Sequence, residues 1–232
     1  MSRRLYFLAV LLSSCGTTPG APPVSQIPVC TPLDSTAAWA RANRAWSQEA
    51  GQSWSNDSLR RVLLELRDQD QSARADFGSR IGDSVYARHL TTIDSVLATK
   101  MAEILDRFGL PTRSMVGAAG SDAAMLIVQH NWSLQERVLA LVEALPPGQI
   151  SPQALAMLED RVRVHQGKPQ RFGTQFNSGA DGIFRFAATS DLPGLAARRV
   201  QAGLPPLAQY VCLMEEAGMR IDRSSLPREV SP

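Results

Sequence analysis

His130 is where a search for chemistry in this chain of 232 residues begins. It follows Leu126 by four positions and Ile127 by three, so it continues the apolar stripe of a helix towards that helix's C-terminus. An imidazole there could act as a general base or contact a ligand, since small environmental changes move its pKa across neutral pH and a helix C-terminus favours the protonated form. The alternative is a structural histidine bonded to a carboxylate or a backbone carbonyl. Asp70 and Asp160 are the carboxylates that could orient it in a catalytic set. Arg74 follows Asp70 by four, a helical acid and base pair, and Arg161 adjoins Asp160. These pairs could hold an anionic substrate, or they could be a buried network that specifies the fold. Gln129, Gln170, Thr174 and Gln175 could position a peptide or sugar by directional hydrogen bonds, or form the seam that docks one element on another.

Other chemistry is poorly supported. His89, His130 and His165 have no metal-ligand spacing, and no His-Glu-x-x-His, Cys-x-x-Cys or Gly-x-Ser-x-Gly occurs, so neither a metal nor a cofactor is expected. Gly117-Ala-Ala-Gly120-Ser-Asp, read as a loop before a helix capped by Ser121, could bind an anion at the helix N-terminus but lacks the lysine of a phosphate-binding loop. Otherwise it is a plain loop and cap.

The first residues give an address. Arg3 and Arg4 precede an apolar run, Leu5 to Leu12, too short to span a bilayer. Leu12-Ser13-Ser14-Cys15 then resembles the bacterial lipobox, which implies a signal peptide over residues 1–14, a diacylated Cys15 as the mature N-terminus and a membrane partner reached through lipid. Gly16, not aspartate, follows the cysteine, which favours the periplasmic face of the outer membrane where a cell has two. Removing residues 1–14 takes away Arg3 and Arg4 and leaves 22 basic against 22 acidic residues. Such a neutral surface gives no reason to expect nucleic-acid binding. Cys30 and Cys212 are either a disulfide closing nearly the whole domain or two buried thiols.

Periodicity supplies the elements that must position these groups. Residues 15–33, rich in Pro, Gly, Ser and Thr, read as a flexible tether; residues 34–220 as one helical domain; residues 221–232 as a disordered tail. Leu59, Val62, Leu63, Leu66, Asp70, Ala73 and Phe77 lie on one helical face, and Leu90, Ile93, Leu97, Met101, Ile104 and Leu105 on another. Ser133-Leu-Gln-Glu136 is a capping-box pattern, and Ser151-Pro152 opens a helix running to about His165. Gln170 to Phe176 and Ile183 to Ala187 read as strands, which places Gln170, Phe172 and Thr174 on one face of a hairpin. The expected architecture is mainly α, a multi-helix orthogonal bundle with one small β-hairpin near residues 170–187.

Asp70-Gln71-x-x-Arg74, Val116-Gly117, Val128-Gln129-His130, Asp160-Arg161 and Gln170-Arg-Phe-Gly-Thr-Gln175 together resemble an uncharacterised bacterial domain family of unknown function. Arg198-Arg199 and Gly203-Leu-Pro-Pro206-Leu-x-x-Tyr210 resemble its C-terminal end. The resemblance spans roughly residues 57 to 215 and implies no activity. It departs at Gly109-Leu110-Pro111, where tryptophan often stands in the family, and it leaves out the helix with Trp39 and Trp46. Two functional expectations result: a binding or scaffolding module at the membrane surface, partnered with an envelope protein, peptide or glycan, or a hydrolase or transferase with His130 as base.

Overall fold

A computed structural model describes Cys30 and residues 36–227. Within them lie eight α-helices and a three-stranded sheet, so the protein is mainly α-helical. The helices begin where side chains can cap them. Asn56 Oδ1 accepts from Leu59 N to start α2 (Asp57–Ala73), and Asp83 Oδ1 accepts from Val85 N and Tyr86 N to start α3 (Ser84–Phe108). Their apolar faces, Leu59, Leu63 and Leu66 on one and Leu97, Met101 and Leu105 on the other, close on α4 (Arg113–Val128). α5 (Trp132–Val142) and α6 (Pro152–His165) complete this core, and α1 (Ala38–Ser47) lies against α4 and α7 (Leu195–Gln201).

Three local expectations fail for physical reasons. α4 starts at Arg113, and Ser121 is not a cap but a fully buried residue inside the helix. A helix buried on every side shows no one-sided stripe, so its first eight residues escaped the pattern. Its two pieces meet at Gly117, where φ is 72°. α5 is capped by Asn131, whose Oδ1 accepts from Leu134 N, so the Ser133 capping box does not form. Phe77 falls in a short 3-10 turn (Phe77–Arg80) beyond the end of α2.

The hairpin is smaller and better partnered than expected. β1 (Phe176–Ser178) pairs antiparallel with β2 (Ile183–Phe186), Phe176 opposite Phe186. β3 (Arg220–Ile221) adds a parallel third strand to β2. Residues 221–227, expected in a disordered tail, are therefore placed, with Ser225 Oγ accepting from Phe186 N. α8 (Leu207–Glu216) covers the sheet through Leu207, Tyr210, Val211 and Met214. Cys212 on α8 is bonded to Cys30 as a disulfide with Cα atoms 5.7 Å apart. The expected signal peptide, the expected lipidation site at Cys15 and nearly all of the expected tether lie outside the described residues. No helix among the described residues is long and apolar enough to cross a membrane.

Gln170 to Gln175 is not a strand, and the face alternation drawn from that reading does not hold. The segment is a turn wound around the fully buried Asp160 of α6. Asp160 Oδ1 accepts from Arg171 N (2.6 Å) and Phe172 N (3.0 Å), and Oδ2 accepts from Thr174 N (3.1 Å) and Thr174 Oγ1 (3.0 Å). One carboxylate thus satisfies the backbone donors of a turn that has no ladder of its own. Asp160→Ala strands those donors in the interior and should lower stability by about 3–5 kcal/mol. The check is urea unfolding, with the midpoint falling sharply and Asp160→Asn, which keeps one acceptor, falling less.

Candidate functional site

The sequence-predicted groups separate into three places. The first is the face where α2, α3 and the end of α4 meet. Arg74 Nη1 donates to Asp70 Oδ1 at 2.6 Å, Arg74 Nη2 pairs with Asp94, and Gln71 Nε2 donates to Asp70 Oδ2 at 2.8 Å. His130, in the turn after α4, brings Nε2 to 3.7 Å from Asp70 Oδ1 and has no hydrogen-bond partner at that nitrogen among the described residues. That distance is too long for a hydrogen bond. Burial, with Arg74 and Arg161 nearby, holds His130 well below the ordinary imidazole range, so it is neutral at pH 7. Burial pushes Asp70 and Asp94 upward against the opposing pull of Arg74. The centre of the network is closed to solvent, Asp70 being fully buried and His130 only 7% exposed, while Asp94 and Gln71 at its edge are half-buried.

The second place is the turn around Asp160, and its polar residues are consumed by structure. Gln170 Nε2 donates to the carbonyls of Gln175 and Ala187, while Gln170 Oε1 accepts from Gln175 N. Gln175 Nε2 donates to Thr174 Oγ1. Arg199, which sequence reasoning placed only in a tail motif, is 1% exposed and donates to the carbonyls of Phe172, Gly173 and Pro205. Tyr210 Oη donates to Thr174 O at 3.2 Å, and burial lifts its pKa to about 12. Burial lowers both Arg161 and Arg199 to about 10, which leaves them cationic at neutral pH. Burial also pushes the Asp160 carboxyl up, against the four donors that favour its charge. The side-chain amide of Gln170, the hydroxyl of Thr174 and the Nε2 of Gln175 are therefore engaged within the turn rather than offered to a ligand.

The third place was not anticipated, apart from Gln129. A cleft of about 470 Å³ opens between α1, α4 and α6, with Met125, Leu126, Ala154, Met157 and Leu158 as its apolar lining. Asn43, Arg44, Arg67, Gln129 and Gln153 supply polar groups. In its wall, both oxygens of Asp122 accept from Trp46 Nε1 at 3.0 Å. Burial, helped by the charge of Glu49 and opposed by that hydrogen bond and by Arg113, raises Asp122 to about 6. A largely apolar concavity of this size with one perturbed carboxyl has the character of a small-molecule site. The signal that could have found it is Asp122 three and four residues before Met125 and Leu126 on one helix face, but the wall with Trp46 comes from a remote helix that no local pattern links to it.

Comparison with known proteins identifies the chain without giving it a chemistry. Residues 57–222 match the model of a family of unknown function, DUF6624, and the chain belongs to that family. No curated protein and no solved structure matches it. Trp46, Asn43 and Arg44 of the cleft lie before the matched region, and Asp122, Met125 and Gln129 lie within it.

The raised Asp122 fixes a sign for pH dependence. A carboxyl whose pKa is higher folded than unfolded contributes stability that is full below about 4 and is lost as pH rises through about 6. Asp122→Asn, which keeps an acceptor for Trp46, should remove that part of the slope and stabilise the protein at pH 7.5 by on the order of 1–3 kcal/mol. Thermal unfolding of both proteins at pH 4 and 7.5 checks it, the two differing at the higher pH and converging at the lower.

Proposed function

We propose that this DUF6624 member is a binding module, tethered to an envelope membrane by lipid on Cys15, whose cleft between α1, α4 and α6 takes a small amphiphilic molecule. The observation that carries the reading is the cleft itself: about 470 Å³, apolar in its depth, with Asp122, Gln129 and two arginines placed to orient a polar end. Buried apolar surface supplies affinity in such a site, and the few polar groups supply orientation. A periplasmic position at the outer membrane is the address that the residue after Cys15 favours.

The alternative, a hydrolase or transferase with His130 as base, is weakened by geometry. A base must reach a substrate proton directly or through one water. His130 does not line the cleft, although its neighbour Gln129 does, and two nearby arginines oppose its taking a proton. The Asp70, Arg74, Asp94 and His130 network is better understood as a fold-specifying contact between helices.

Binding of 1-hexanol, a minimal neutral amphiphile, tests the reading by methyl NMR on the chain from Cys30 onward. The methyl resonances of Met125 and Met157 and the indole N–H of Trp46 should move on titration. Met157→Trp fills the cleft from a half-buried position and should weaken binding at least tenfold while the unfolding midpoint stays within a few degrees. Unmoved cleft resonances, or equal binding by the variant, would contradict it.

A further inference from the structure

The cleft has a polarity along its length, and α4 sets it. Asp122, Met125, Leu126 and Gln129 follow one another at spacings of three and four on one face of that helix, and all of them line the cleft. Asp122 and Gln129 are seven residues apart, about 10 Å of helical rise. A carboxylate therefore stands at one end of the floor, apolar side chains in the middle and an amide at the other end. Asp122 is the single acid among the lining residues.

No cation closes on that acid. Both oxygens of Asp122 accept from Trp46 Nε1, which leaves unfilled part of the roughly four acceptor positions a carboxylate offers. Arg113 attracts it through space, but Arg113 Nη2 donates to Gln48 O at 3.1 Å and its guanidinium lies over the Trp46 ring, 5.0 Å from the centroid. Glu49, forked onto Arg60, adds its charge to burial in raising Asp122. α2 runs alongside α4 in the same direction, since Arg60 donates to Val116 O and Asp70 lies beside His130. Arg67, three residues before Asp70, therefore stands nearer the Gln129 end, with Nε and Nη2 donated to Asp68 Oδ1. Arg44 of α1 is exposed to water, and the residues that α6 gives the cleft carry no charge.

We propose that the cleft selects a linear primary amine, its ammonium group donating to Asp122 and its hydrocarbon chain lying on Met125 and Leu126 towards Gln129. The inference rests on the cleft reading above and names the ligand class of that site. An ammonium group brings several N–H donors and, at hydrogen-bond distance, the positive charge that no side chain among the described residues supplies to Asp122. An alcohol of the same length offers one neutral donor, and a carboxylate would meet Asp122 with like charge. With Asp122 at about 6, its carboxyl is mostly ionised at neutral pH and ready for a cation. The amine leaves α1 where it stands, because Asp122 keeps its bond to Trp46 while its unfilled positions take the ligand.

Calorimetric titration of the full chain in phosphatidylcholine nanodiscs, against empty nanodiscs, with hexylamine, 1-hexanol and hexanoate at pH 7.5 tests this. The wild type should bind hexylamine about tenfold more tightly than hexanol, and hexanoate more weakly than either. Asp122→Asn should leave hexanol affinity within about threefold and remove the advantage of the amine. Lowering the wild type to pH 4.5 protonates Asp122 while hexylamine stays an ammonium ion, so the gap should close there too. If the variant loses hexanol as well, the comparison of the two pH values on the wild type decides. Hexylamine no tighter than hexanol in the wild type at pH 7.5, or a gap that survives either change, overturns this inference while the cleft reading stands. If none of the three compounds binds, both readings fall.

Discussion

A buried carboxylate needs its lone pairs met by hydrogen-bond donors, and the C-terminal half of this protein is arranged around Asp160 meeting that demand mainly from the backbone. Its two oxygens gather the donors of Arg171, Phe172 and Thr174, so the turn that leaves α6 has one conformation. The carbonyls on the other side of that turn, at Phe172 and Gly173, then need donors of their own, and Arg199 supplies them from α7. Tyr210 does the same for Thr174 from α8. A chain of donors and acceptors therefore runs from α6 through the turn to α7 and α8, and the sheet rests on its end at Phe176. Every link is buried or partly buried, so each would be costly to leave unmade.

The same rule separates structure from function in the rest of the molecule. Gln170, Thr174, Gln175, Asp70 and Arg74 have polar atoms aimed at one another, which is what a network specifying helix contacts needs. The cleft obeys a different logic. Among the described residues Asp122 accepts from one donor, Trp46, and burial raises its pKa. A group left with unused bonding capacity beside an open apolar surface is poised for something the chain does not itself provide.

Much of the fold was legible because apolar periodicity and capping residues leave local marks. The stripes of α2 and α3, Asp83 at one helix start and Pro152 at another show themselves in the sequence without any tertiary information. α4 hid because burial on all sides erases a stripe, and Asn131 won over Ser133 because its own side chain reached Leu134 N. Gln170 to Gln175 was mistaken for a strand because its composition is compatible with one, while the acceptor that bends it into a turn lies in α6. The polar residues of the family pattern were identified by position, yet their roles depend on where their atoms point, and for most of them that is inward. The cleft was almost invisible, since its walls come from residues 43–47, 119–129 and 151–158, brought together only by the packing of three helices.

The most direct test of the account is a crystal of the chain from Cys30 onward soaked with a short neutral amphiphile such as 1,2-hexanediol. Density is expected between α1, α4 and α6, in contact with Met125, Leu126 and Met157 and ending near Asp122, with the surroundings of His130 unchanged. Density beside His130 and Asp70 with an empty cleft would contradict it and return the search to the imidazole.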